Sequence, residues 1–194
     1  MSKISWKGST LLAPLPAVMV SCSDGEKDNV FTAAWTGIIN SQPPKLYVSI
    51  RPERYSHEII SKSREFAVNL VNSSLVRACD ICGVRSGRDC DKFELCALEK
   101  EEAKEISAPI LALSPLAIEC KVCDIVPLGS HDMFIADIVS VDVNEELLDE
   151  DGKLHMEKAS LVSFTHGEYF AQGKKLGSIG YSVRKKRKKQ HNGK

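Results

Sequence analysis

No apolar run in this sequence approaches the ~20 residues that a membrane-spanning helix needs. The opening stretch, MSKISWKGSTLLAPLPAV, has a short apolar segment broken by Pro14 and Pro16, which is not the pattern of a secretory signal. A cytoplasmic protein with no membrane partner is expected. There is no G-x-S-x-G, no H-E-x-x-H and no P-loop, so the nucleophile elbow, the helical zinc site and the Walker phosphate loop are excluded. The missing G-x-G-x-x-G argues against a Rossmann site. There is no internal repeat and no clear linker, and 194 residues are most simply one domain with a substantial core.

A net charge of zero hides an asymmetry. Residues 184–194, RKKRKKQHNGK, hold seven of the 26 basic residues and no acid, which leaves 19 basic against 26 acidic residues in the remainder. The expected division is therefore one domain over 1–183 and a frayed, solvated basic tail. Six consecutive basic residues without interleaved aromatics are a weak nucleic-acid signal, so a nucleic-acid partner is not expected.

Seven cysteines, an odd number in a chain of this length, make a disulfide framework unlike the sequence. Two C-x-x-C pairs, Cys79/Cys82 and Cys120/Cys123, invite a zinc or redox reading. However, 37 residues separate Cys82 from Cys120, against roughly 15–20 in a zinc ribbon. Cys120 and Cys123 lie in a strand-like run, where residues three apart point to opposite faces. Cys79 and Cys82 lie in a helix-like run and share a face. Buried roles as small hydrophobes are favoured and no metal site is expected.

The chain is organised around NVFTAAWTGIINSQPPKLYVSIRPERYSH, residues 29–57. Ala17 to Cys22 and Val30 to Asn40 read as a strand hairpin around the Asp24-Gly25 turn. Asn40 to Pro44 is a second turn. Leu46, Val48 and Ile50 alternate with Tyr47, Ser49 and Arg51, the period-2 pattern of a half-buried strand. Arg51, Arg54, Ser56 and His57 then gather donors where Ser56 is placed to cap a helix. Arginines, hydroxyls and amides beside a helix N-terminus suit an anionic ligand such as a phosphate.

Farther on, a helix is expected from Ser56 to Arg64 with Ile59 and Ile60 inward, and a strand from Glu65 to Val71. A second helix runs from Asn72 to Cys82, with Leu75, Val76, Cys79 and Cys82 on one stripe and Gly83 at its end. Lys100 to Ser107 is charged and read as exposed. Leu116 to Val126 and Met133 to Val143 read as strands, the first with Ile118, Cys120 and Val122 on one face and Glu119 and Lys121 on the other. Leu161 to Thr165 reads as the last strand. About seven strands in hairpin order, with two or three short helices, exclude a doubly wound sheet and favour a closed or split barrel.

Several motifs in this order resemble the flavin reductase-like FMN-binding proteins, in particular the flavoredoxin branch. They are Asn29-Val30-Phe31-Thr32-Ala33-Ala34-Trp35-Thr36, Ser41-Gln42-Pro43-Pro44 and Ser49-Ile50-Arg51-Pro52-Glu53-Arg54-Tyr55-Ser56-His57. Downstream come Ser86-Gly87-Arg88-Asp89 with Asp91-Lys92-Phe93, Gly129-Ser130-His131-Asp132-Met133-Phe134 and His166-Gly167-Glu168-Tyr169-Phe170. The resemblance implies a mainly β fold, a Greek-key antiparallel split β-barrel with a few flanking short helices, binding FMN at a homodimer interface. It implies hydride acceptance from NADH or NADPH with electrons passed to an acceptor. An electron carrier reduced by a redox partner protein, or a non-catalytic FMN-binding protein, remain open beside it.

The phosphate is expected at Arg51, Arg54 and Ser56, with Tyr55, Ile50 and His57 in the same motif. The ring is expected against Thr32, Ala33, Ala34, Trp35 and Thr36, through backbone amides and the Thr32 or Thr36 hydroxyl, with Asn29 of the same motif among the cofactor-binding residues. Lys92 resembles a position near cofactor or substrate, and His131 one near the nicotinamide. Tyr169 and Phe170 resemble a segment near the flavin or the partner subunit, with core packing as the alternative. No residue is expected to act as a covalent catalyst, because the flavin supplies the redox chemistry and the protein supplies position.

Overall fold

The computed structural model describes residues 1–183, and the basic tail expected at 184–194 lies outside the described residues. After an irregular start the chain forms β1 (Leu15–Pro16), β2 (Val18–Ser23), β3 (Asp28–Ala33), β4 (Thr36–Ser41) and β5 (Pro44–Ile50). Helix α1 (Tyr55–Ser63) and strand β6 (Glu65–Leu70) follow, then α2 (Val76–Val84) and α3 (Lys92–Leu95). The second half holds β7 (Lys100–Glu101), β8 (Ile110–Leu111), β9 (Leu116–Pro127), β10 (Asp132–Val143), β11 (Val162–Thr165) and β12 (Glu168–Ala171).

Among the described residues, seven strands form one sheet in the order β3-β2-β6-β9-β10-β5-β4, with every neighbouring pair antiparallel. The two outer strands, β3 and β4, are consecutive in the chain. The sheet therefore curls until its ends lie beside each other, and the Ser49 amide donates to the Trp35 carbonyl at 2.9 Å, extending the β4–β5 ladder one step beyond the Thr36–Val48 pair. The result is the mainly β, antiparallel split barrel expected from the sequence.

One side of the sheet closes on the barrel core, where Val20, Val48, Ile60, Phe66, Cys120 and Phe134 are buried together. The other side of β2 is also covered. Met19 packs with Leu75, Cys79 and Cys82, the apolar stripe of α2 and the turn before it. All six residues of β2 are buried, so its pattern is continuous rather than alternating.

Four local expectations are corrected. The strand read from Val30 to Asn40 breaks at Ala34–Trp35, because the chain crosses there from one end of the sheet to the other. Gly83 lies inside α2 rather than at its end, where a Cβ would meet the Thr32 Cβ at 3.3 Å; helix and strand pack closely because it is glycine. Glu119 is fully buried rather than outward-facing. Its carboxylate accepts the amides of Lys104 at 2.9 Å and Glu105 at 2.7 Å, which draws the charged segment onto the sheet and buries Ile106. Strand β12 was not foreseen. It pairs with β11 through a tight turn at His166 (φ 52°) and Gly167 (φ 85°).

Candidate functional site

The join between the two ends of the sheet leaves two adjoining cavities. The larger, about 390 Å³, is bounded by β3, the β5–α1 loop and the segment after α2. The smaller, about 170 Å³, lies between the end of β3, the end of β5 and His131; Phe31, Arg51 and Arg54 belong to both.

The alternation of β5 produces this geometry. Leu46, Val48 and Ile50 enter the core, so the chain reaches its exposed end with Arg51 turned to the cavities. Helix α1 starts four residues later. Its N-cap is Arg54, which offers no side-chain acceptor to the first amides, and Tyr55 and Ser56 of its first turn line the larger cavity. An uncapped helix N-terminus with free amides favours an anion. Ser56 is thus not the cap that the sequence implied. It is buried one residue into the helix and accepts the Asn29 amide nitrogen at 2.7 Å. Behind it, burial pushes the Cys22 thiol up to about 12, so it stays an inert thiol.

The floor of the larger cavity is Lys92. It is buried rather than exposed, and its Nζ donates to the carbonyls of Val30 at 2.8 Å and Cys82 at 3.0 Å. Burial lowers the Lys92 ammonium below the ordinary lysine value, and nearby thiols offset part of that. Arg85, Ser86 and Gly87 close the wall opposite Arg51. Gly87 is required there, since a Cβ would stand 2.7 Å from the Asn29 Cγ and 2.9 Å from the Tyr55 Cδ1. Arg88 does not line the cavity. It lies over the Tyr55 ring at 5.1 Å and donates to the Glu53 carbonyl at 3.0 Å, tying this loop to the β5–α1 loop.

In the smaller cavity Thr32, Ala33, Ala34 and Trp35 form one wall. Trp35 is about 38 % exposed, and the His131 ring lies over it with centroids 4.6 Å apart at 37°. Desolvation, and secondarily the Arg51 charge, lower the pKa of His131, which favours the neutral imidazole. The serine before it, Ser130, has its Oγ 3.0 Å from Nδ1.

The structure therefore brings Asn29, Thr32, Ala33, Ala34, Trp35, Ile50, Arg51, Arg54, Tyr55, Ser56, Lys92 and His131 around one continuous depression. Thr36 and His57 line neither cavity. The Thr36 hydroxyl donates to the Tyr47 carbonyl at 2.5 Å, and the Thr32 hydroxyl is committed to the Cys79 carbonyl, so neither hydroxyl is a free donor. His57 turns away to Asp132, Nε2 to Oδ2 at 2.7 Å, and braces α1 against the start of β10. Tyr169 packs on Phe164 in the cluster with α2, and Phe170 is exposed. Arg85, Ser86 and Glu53 were not among the expected site residues. The Ser86-Gly87-Arg88-Asp89 motif was the signal for Ser86, and Arg85 immediately precedes it.

The lining supplies guanidiniums, an ammonium, hydroxyls, amides and one imidazole, with Glu53 its only carboxylate. This donor set fits a phosphate in the larger cavity. The small-residue wall and the Trp35–His131 pair leave a flat, partly apolar cleft beside it. The joint volume lies within the ~300–1,000 Å³ range of small-molecule pockets.

Comparison with known proteins gives the same direction. The model of the flavin reductase like domain matches residues 11–169. The flavoredoxin of Desulfovibrio vulgaris (Miyazaki F) is 32 % identical with a TM-score of 0.87, over 94 % of this chain and 100 % of that one. The flavoredoxin of Methanosarcina acetivorans is 25 % identical with a TM-score of 0.86, over 95 % of this chain and 100 % of the other. Among curated relatives, an NADPH-flavin oxidoreductase of Streptomyces viridifaciens is 26 % identical over 69 % of each chain. Fold, motifs and family match agree: the chain belongs to the flavin reductase-like family.

Proposed function

We propose that this protein binds FMN, accepts a hydride from NADH or NADPH, and passes the electrons to an acceptor. The observation that carries this reading is the continuity of the uncapped, arginine-lined cavity with the cleft at Trp35 and His131. Arg51, Arg54, Arg85 and the first amides of α1 would hold the phosphate, with Lys92 beneath. Backbone groups of residues 32–35 would meet the polar edge of the ring, since the Thr32 hydroxyl is already bonded. Bound FMN supplies the two-electron chemistry, and no protein nucleophile is needed. The Trp35–His131 pair would give a flat donor a surface to stack on. A homodimer accords with this arrangement, because β4, which runs on from Trp35 of the cleft, exposes Ile38 (65 %) and Ile39 (47 %).

The visible spectrum of freshly purified protein, followed by FMN titration and anaerobic addition of NADH or NADPH, tests the proposal. Yellow colour or FMN uptake, then bleaching by the nicotinamide, supports it. A colourless protein that takes up no FMN at micromolar concentration overturns it. The similarity to two flavoredoxins favours a second reading, a carrier reduced by another electron-transfer protein. In that case FMN is held but bleaches only when such a protein is supplied.

His131→Ala is expected to raise the apparent KM for the nicotinamide about 3- to 10-fold, the cost of one polar contact. FMN stays bound, because the phosphate side is untouched. Unchanged steady-state kinetics would remove His131 from the donor side of the cleft.

A further inference from the structure

A second group of reactive side chains lies away from the two cavities, on the outer face of the barrel. Strands β5, β10 and β9 are neighbours there. Lys45 on β5 faces Asp137 on β10 in direct register, and Asp137 faces Lys121 on β9. Two residues past Lys121 the ladder is irregular. Ala136 pairs with Val122 and Ile135 with Asp124, so Cys123 has no partner across the ladder. A bulge of this kind re-aims the extra side chain. Here it turns Cys123 outward and toward Lys45, while Cys120 stays buried in the core.

The contacts are specific. Lys45 Nζ lies 3.5 Å from Cys123 Sγ and is ion-paired to Asp137 Oδ1. Cys123 Sγ in turn donates to the Ile135 carbonyl at 3.4 Å. Cys123 is the one cysteine among the described residues classed as exposed; four are buried and two intermediate. An exposed thiol, an amine at hydrogen-bond distance from it and a carboxylate on that amine meet at one place, outside everything the flavin reading uses.

We infer that Cys123 and Lys45 form an oxidation site, at which hydrogen peroxide links the two side chains through a single oxygen as an Sγ–O–Nζ bridge. In the first step one peroxide oxygen is transferred to sulfur. The O–O bond breaks, water leaves, and Cys123 becomes a sulfenic acid. In the second step Lys45 Nζ bonds to that oxygen while a second peroxide accepts two electrons and leaves as water. One thiol, one amine and two peroxides thus give one bridge and three waters. Sulfur and nitrogen each lose two electrons, and the peroxide oxygens gain four. The contact with Asp137 holds Lys45 as an ammonium, so the same carboxylate must take the proton before nitrogen reacts. The bridge ties β5 to β9 over the intervening β10. Two equivalents of a dithiol reverse it, returning thiol, amine and one water.

The test is mass spectrometry of the full-length protein after limited hydrogen peroxide treatment, digested with trypsin before and after dithiothreitol. The expected species joins the peptides carrying Lys45 and Cys123, heavier than their sum by one oxygen and lighter by two hydrogens. Cleavage after Lys45 is blocked in it and restored by dithiothreitol. It is absent from Cys123→Ser and from Lys45→Arg, which keeps the charge facing Asp137. Four outcomes each overturn the inference: oxygen gained on Cys123 with no hydrogen lost, a disulfide through Cys123, no change at either residue, or the same species in Lys45→Arg. The wild-type digest decides the matter even where a variant folds poorly.

Discussion

Replacing both Arg51 and Arg54 with alanine should weaken FMN binding by a hundredfold or more while leaving the fold intact. Both residues line both cavities, and both are exposed, so little packing depends on them. The Arg51 contact with Glu53 is a long surface pair at 3.4 Å and contributes little to stability. A hydrogen bond to a charged group is worth about 1.5–3 kcal/mol, so losing two costs about 3–6 kcal/mol if they act independently. Neighbouring arginines on one phosphate are coupled, which places the expectation at the lower end of that range. Isothermal titration with FMN at two salt concentrations checks it. Wild-type affinity should fall as salt rises, and the double variant should have lost most of that dependence. Riboflavin, which lacks the phosphate, should bind both proteins alike. If the variant held FMN as tightly as the parent, the phosphate would not lie at Arg51 and Arg54.

That expectation rests on a stretch whose local pattern was readable. Leu46, Val48 and Ile50 alternate because one face of β5 closes on the barrel core, and this phase alone delivers Arg51 to the rim. What the sequence concealed was non-local. His57 looked like part of the donor cluster because it follows Ser56, but its partner, Asp132, lies 75 residues away. The Thr32 and Thr36 hydroxyls looked free because their acceptors are the backbone carbonyls of Cys79 and Tyr47. Lysine is ordinarily an exposed residue, yet two converging carbonyls let Lys92 lie buried. Glu119 broke its own alternation because the outer face of β9 is covered by a segment that was read as exposed from its charged residues, although Ile106, Ala108 and Ile110 within it turn onto the sheet. The strand break at Ala34–Trp35 had no signal in hydrophobic period either. It follows from the closure of the sheet, which only the order of all seven strands defines.

Phe134→Ala should cost about 3–5 kcal/mol, a large part of the 5–15 kcal/mol that a domain ordinarily has. The ring is fully buried on β10, facing Val48 of β5 and Ile125 of β9 in register. Its edge also meets the His57 ring, with centroids 5.1 Å apart at 84°. Phe134→Leu keeps most of the volume and should cost roughly 1.5 kcal/mol or less. Urea unfolding separates the two: the midpoint falls steeply for alanine and slightly for leucine, with the slope unchanged in both. An alanine variant within about 1 kcal/mol of the parent would mean that the ring is not packed as described. The ring also steadies the functional end of the strand. It orients His57, which holds Asp132, the residue after the His131 that stacks on Trp35. Asp132→Asn replaces the carboxylate of that brace with an amide without changing its shape. Combined with Phe134→Leu, it should give a loss that departs from additivity by about 0.5 kcal/mol or more, because both changes act through one imidazole. Strict additivity would mean that the core ring and the Asp132 contact hold His57 independently. The barrel interior would then have no physical connection, through this histidine, to the rim where His131 lies.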